Sequence, residues 1–322
     1  MVSTLPGHPV TTPTAAERRR RHLPPWARIF LGGGALWIAA VVVTFVTGNV
    51  NLVPTIILVG AFLVPVTFVV WAFGHADPVL TPSKIFTAFL YGGVTGVLGA
   101  SVLEAAFVHN ASAAGFLGVG LIEEGVKLVV LWLMARRLGR YSMRDGLVLG
   151  ATVGLGFAAF ESAGYAFQAL FTQQGGLSLM GVVQTELLRS VLTPFGHGLW
   201  TAIAGAALFG VASRRGRVTL RAWPVAGAYV LVAVLHALWD AAHLAAAWLT
   251  LYLTGSAQQW YAIRNGLGAY ATSAQVHLDA MLGLALPVVD ALVSLAIVAG
   301  FVVRARHQER YAVRAFAGHP IG

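Results

Sequence analysis

Long apolar stretches alternate along the chain with short clusters of charge, proline, glycine and polar residues. Eight stretches, at 27–47, 53–73, 85–108, 114–135, 146–171, 191–212, 222–252 and 279–303, can cross a hydrocarbon core of about 30 Å at about 1.5 Å per residue. The pattern predicts an all-α, polytopic integral membrane protein of about eight transmembrane helices. The first stretch follows RRRRH at 18–22, is long, and has no small-residue cleavage site, so it reads as an uncleaved anchor.

This divides the chain into a disordered basic tail (1–26), an eight-helix membrane domain (27–303) and a second basic tail (304–322). Two connections, 172–190 and 253–278, are longer than a turn. The second carries Trp260, Tyr261 and Tyr270, aromatics of the kind that anchor at headgroup level. The first is a candidate for gating or admitting a substrate.

Composition supports this reading. With 57% hydrophobic and 10% charged residues and a mean hydropathy of +0.76, a water-soluble globule is excluded. Charge then sets orientation, because short cytoplasmic loops retain Lys and Arg. Of 21 cations, 18 fall before the first stretch or after the second, fourth, sixth and eighth, leaving Arg189 and Arg264 opposite and Lys127 within the membrane. Both termini are therefore expected in the cytoplasm. The net charge of +9 follows from topology and attraction to anionic headgroups, so no nucleic-acid partner is inferred. With no cysteine, disulfides and thiol catalysis are excluded.

The informative residues break the apolar pattern. An ionisable group in hydrocarbon costs at least about 2.5–3.5 kcal/mol on insertion scales. Yet GLIEEGVKLVVL carries Glu123, Glu124 and Lys127, GFAAFESAGYAF carries Glu161, TPFGHGLW carries His197, and LHALWDAAH carries His236, Asp240 and His243. Glu123 lies 13 residues from Arg136, Glu161 16 from Asp145, His197 17 from Arg214 and His236 15 from Arg221. All four sit at about 20–26 Å above the cytoplasmic edge.

His236, Asp240 and His243 share a helix face within about 60°, and His-x-x-x-Asp lets two turns bind one ion such as zinc. Any one such group can equally be a helix-to-helix hydrogen bond, and Lys127 can simply neutralise Glu123. Six or more at one depth exceed what packing needs. His243 and Glu104 lie near the outer interface, and Asp290 sits at cluster depth without an assigned role.

The succession EEGVK, FAAFE with a Tyr four residues on, GHGLW and HALWD resembles the PrsW family of intramembrane proteases over roughly residues 115–245, with a core at about 114–252. That family is grouped with the CAAX prenyl endopeptidases and bacteriocin-processing proteins. Relatives of the CAAX type have His where this chain has Glu161, and often Asn where it has Asp240. The resemblance implies hydrolysis of peptide bonds in membrane-anchored proteins, such as anti-sigma factors, at a bacterial cytoplasmic membrane. A genome rich in G and C is in keeping with 19 Arg against 2 Lys.

It further implies Glu123 as the base activating water, with Glu124 and Lys127 completing the catalytic group. Glu161, His197, His236 and Asp240 then hold a zinc ion or, without metal, hold the water and the oxyanion. His197 is the ligand that the wider superfamily pattern does not demand. The rival reading is a proton- or cation-coupled transporter that uses the same carboxylates and imidazoles. The lack of an internal repeat and the order of the motifs weigh against it.

Overall fold

The computed structural model describes residues 23–110 and 112–317. The expected N-terminal tail through residue 22, and residues 318–322 of the expected C-terminal tail, lie outside the described residues. The long apolar stretches form α1 (Pro25–Thr47), α2 (Val53–Phe73), α3 (Pro82–Phe107), α4 (Ala113–Ala135) and α5 (Met143–Ala169). They are followed by α6 (Leu179–Leu192), α7 (His197–Arg215), α8 (Trp223–Asp240), α9 (Ala242–Thr254), α10 (Ala257–Arg264) and α11 (Ser273–Ala317). There is no strand among the described residues beyond one isolated bridge, Phe171 to Leu177.

Among the described residues, seven helical spans are long and apolar enough to cross a membrane, with α6 and α7 counted as one. The 23-residue α4 is as long as α1 and differs in carrying Glu123, Glu124 and Lys127. The protein is a polytopic, all-helical membrane protein.

Helix starts follow local chemistry. Ser112, Ser142, Ser178 and Ser256 each accept a backbone N–H of the first turn of α4, α5, α6 and α10, respectively, the usual role of a serine N-cap. The Ser178 cap explains why the expected 172–190 connection is half helical. Leu179 and Val182 share a face behind it, and the helix runs to Leu192.

The expected 191–212 span is interrupted at Thr193–Phe195, where a 3₁₀ turn carrying Pro194 leads into Gly196 and a new helix begins at His197. The 222–252 stretch likewise breaks at Ala241, leaving Asp240 at the end of α8. The 253–278 connection contains α10 and the start of α11. That last helix passes residue 303, the expected domain end, and continues to Ala317.

The core forms around α5 and α7. Within the best spanning windows, 78% of α5 and 89% of the α6–α7 span are buried, against 6% of α1 and 11% of α11. The two outer helices thus present their apolar side chains to lipid. Glycines permit the close central packing. A methyl added at Gly146, Gly150 or Gly154 of α5 would fall on the backbone oxygen of Gly205, Thr201 or His197 of α7. Three small residues four apart let two backbones touch along three turns.

The pair α4 and α8 is seated the same way, with Gly120 against the Ala233 carbonyl and the Tyr229 hydroxyl donating to the Leu121 carbonyl at 2.7 Å. At the arginine-rich end, Arg140 and Arg144 pair with Asp77 of the α2–α3 connection, and Arg144 also pairs with Glu309 of α11. The connections expected on one face thus meet there.

Candidate active site

Each sequence motif has a local geometric reason. In Glu-Glu-x-x-Lys, Lys127 lies four residues from Glu123 and three from Glu124, the spacings that bring side chains together on a helix. Its Nζ donates to Glu123 Oε2 at 2.9 Å and to Glu124 Oε1 at 2.7 Å, and the residue is fully buried. In Phe-x-x-x-Glu, Phe157 places its ring 3.8 Å from the Lys127 ammonium, a cation–π contact made stronger by exclusion of water. One turn on, Glu161 Oε2 lies 3.1 Å from His197 Nε2. In His-x-x-x-Asp, His236 Nε2 lies 3.4 Å from Asp240 Oδ2.

The interhelical contacts join these pieces. Close packing at Gly154 sets the His197 backbone against α5, and the break at Gly196 makes His197 the first residue of α7. Its Nδ1 lies 2.8 Å from Lys127 Nζ, and its ring is 5.0 Å from that of His236, centre to centre. His236 Nδ1 lies 3.1 Å from Glu124 Oε1, and Trp200, one turn after His197, stacks on the His236 ring at 4.7 Å. Trp200 is fixed in turn by donating its Nε1–H to Ser294 of α11 at 3.1 Å.

These contacts set the proton positions. An ammonium has three N–H groups and no acceptor, and a carboxylate only accepts. Lys127 spends its three donors on Glu123, Glu124 and His197 Nδ1, so Nδ1 is bare and His197 Nε2–H donates to Glu161. His236 Nδ1 is engaged by Glu124 Oε1, which leaves Nε2 as the ring nitrogen turned toward Asp240 Oδ2 at 3.4 Å and Glu123 Oε2 at 3.7 Å.

The residues present suit a divalent cation. Glu123, Glu124, His197 and His236 are all buried and each offers one atom, these atoms lying within 4.8 Å of one another. Nitrogen and oxygen donors of this kind suit zinc. The charge agrees. In the bonded cluster the carboxylates of Glu123, Glu124, Glu161 and Asp240 face, among the described residues, only Lys127 and Arg189 as lysine or arginine partners, so two negative charges stay unbalanced when both imidazoles are neutral. The Lys127 ammonium already takes a cation's place on three of the four close atoms. The free nitrogen is therefore His236 Nε2, oriented by Glu124 as carboxylates orient metal-binding imidazoles.

All seven residues singled out in the sequence, Glu123, Glu124, Lys127, Glu161, His197, His236 and Asp240, belong to this one connected cluster. His243 is exposed and outside it. Glu104 also lies outside it, and its buried Oε1 is unpartnered among the described residues. Asp290 is buried one turn from Ser294, with both carboxylate oxygens unpartnered among the described residues.

The residue that sequence reasoning passed over is Arg189 of α6. It donates from Nη2 to Glu161 and from Nε to Ser162 Oγ at 2.8 Å, and its guanidinium lies 4.3 Å from the Tyr165 ring centre. A signal was available, since Glu161 needs a counter-ion in the membrane and Arg189 is one of only two cations assigned to the outer face.

No curated protein and no solved structure matches the chain. Among known families, residues 27–263 match the PrsW family intramembrane metalloprotease. With that match spanning most of the chain and the acidic and imidazole groups of four helices meeting in one buried cluster, the chain belongs to the PrsW family of intramembrane metalloproteases.

Proposed function

We propose that the protein hydrolyses peptide bonds of membrane-anchored proteins, with Glu123 as the general base. The observation that carries this reading is the position of Glu123 Oε2. It lies 3.7 Å from His236 Nε2 without bonding it, and its other close partner is the Lys127 ammonium. Held this way, Glu123 is buried and directed at His236 Nε2, the imidazole nitrogen that a water or a metal can share.

Glu124 orients His236 by accepting its Nδ1–H, and Lys127 pairs with both neighbouring carboxylates. His236 through Nε2, with Asp240 and Glu161, would hold the metal, and His197 would join them where Lys127 gives up the His197 Nδ1. When bound, zinc would supply Lewis acidity for the scissile carbonyl and for water. Glu123 takes the proton from the attacking water and passes it to the leaving amine, as a base beside a closed site does. Lys127, close behind, stabilises the carboxylate before the transfer. Packing of Phe157 and Trp200 around Lys127 and His236 keeps bulk water out, which strengthens each of these charges.

On the face opposite the arginines, a groove of about 450 Å³ lies between the ends of α3 and α4. Its lining includes Phe107, Val108, Gly118, Leu121 and Ile122 and none of the cluster side chains. A single-pass substrate cut near its outer end suits this position, and anti-sigma factors in a bacterial cytoplasmic membrane are one such class. Kinship with the CAAX prenyl endopeptidases rests on motif order. A proton or cation relay would instead spread its groups across the bilayer. Here they converge at one depth.

The test compares membrane-fraction proteomes of cells producing the wild type or Glu123→Gln. Shortened membrane proteins with new termini are expected only with the wild type. Identical sets of termini in both would refute the proposal.

A further inference from the structure

Glu161 is the one carboxylate of the cluster held by a residue outside the four motif-bearing helices. Arg189 reaches it from α6, the short helix that fills the expected 172–190 connection. Three contacts fix the guanidinium itself: Glu161, Ser162 Oγ at 2.8 Å and the face of Tyr165 at 4.3 Å. All three partners lie within five residues on α5, so the fork of Arg189 is set against a single helix face. Lysine, with a point charge in place of a planar fork, cannot make the carboxylate, hydroxyl and ring contacts together.

The same oxygen, Glu161 Oε2, accepts from Arg189 and from His197 Nε2–H. The position of that oxygen therefore decides where the His197 ring stands, and the other side of that ring meets Lys127. We infer that Arg189 is a positioning residue, which fixes the Glu161 carboxylate against His197 and thereby sets the donor geometry of the hydrolytic centre. It touches neither Glu123 nor His236. It acts through Glu161 alone.

This inference rests on the hydrolase reading for its consequence in activity, yet it can be tested without it. Full-length protein labelled with ¹⁵N-histidine is purified in detergent, and the His197 ring signals are assigned by their loss in His197→Asn. The expected result is that Arg189→Gln moves the His197 Nε2–H resonance, while Arg189→Lys moves it less. Cobalt affinity, measured by titration calorimetry, is expected to fall about 10–100-fold in Arg189→Gln, the usual cost of losing an outer partner of a metal site, with partial recovery in Arg189→Lys.

Where Arg189→Gln reduces the yield of folded protein, Ser162→Ala serves as the milder variant. It removes one anchor and is expected to shift the same resonance in the same direction by less. A His197 resonance unmoved in Arg189→Gln, or in Ser162→Ala where that variant replaces it, would overturn the inference. Failure of the hydrolase reading looks different: the wild type cleaves no membrane protein, while the His197 signal still responds to Arg189.

Discussion

Lys127 is fully buried and gives all three of its N–H groups to Glu123, Glu124 and His197. Lys127→Met keeps the length and apolar stem of the side chain but removes the ammonium. Two adjacent buried carboxylates then lose their only lysine or arginine partner among the described residues and keep the imidazoles of His197 and His236 as neighbours. Deleting one member of a buried ion pair costs about 3–5 kcal/mol, because the partner's charge is left uncompensated. Here two partners are stranded, so the loss should lie at the upper end, about 5 kcal/mol, in equilibrium unfolding in mixed micelles.

Two further measurements separate this cause from lost packing. Glu123→Gln combined with Lys127→Met should recover part of the loss, with a coupling of about 0.5–3 kcal/mol, as expected of residues in one network. A divalent cation at about 100 times its Kd should stabilise Lys127→Met by about 2.7 kcal/mol, since it restores positive charge among the same carboxylates. A loss below about 1 kcal/mol in the single variant would refute the reasoning. So would a double variant no more stable than Lys127→Met.

Three other outcomes follow from the packing and the site. Gly154→Ala places a methyl on the His197 carbonyl oxygen; it should lower stability by about 1–3 kcal/mol and cleavage by about 100-fold through displacement of His197, whereas Gly164→Ala, which faces open space, should change neither in the same assays. Glu186 is buried against Gly60, both its oxygens unpartnered among the described residues, so Glu186→Leu should raise the unfolding free energy by about 1–3 kcal/mol; a lower value would show that the carboxylate has a partner. Treatment with a chelator should abolish cleavage of a membrane-tethered reporter, and zinc or cobalt should restore it; activity unchanged after verified metal removal would assign the chemistry to the carboxylates alone.

Much of this arrangement was legible in the sequence because lipid makes polarity expensive. A carboxylate or imidazole in an apolar stretch marks itself, and counting residues to the nearest cytoplasmic charge placed Glu123, Glu161, His197 and His236 at one depth. The helix spacings within each motif likewise fixed which neighbours touch, as with Lys127 and the two glutamates. What the pattern concealed were the interruptions.

The break at Pro194 and Gly196 lies inside a run that reads as continuous, and it is what puts His197 at a helix start. The short helix behind Ser178 is amphipathic, so a polar-looking connection hides its apolar face and leaves Arg189, though assigned to the outer face, without its partner Glu161. Gly146, Gly150 and Gly154 matter through the partner they admit, and a partner is not written in the strand of sequence that carries them. Which nitrogen of each imidazole is bare also depends on contacts across helices, and so emerges only in three dimensions.

The central claim is that Glu123 and His236, from separate helices, form one hydrolytic centre. It is tested most directly by reconstituting the purified protein in liposomes with a single-pass reporter and measuring cleavage by mass spectrometry. The account predicts a defined cut by the wild type, with Glu123→Gln and His236→Ala each slower by about 10²–10⁴-fold, the range of a lost acid–base catalyst. Cleavage by both variants at the wild-type rate would contradict it.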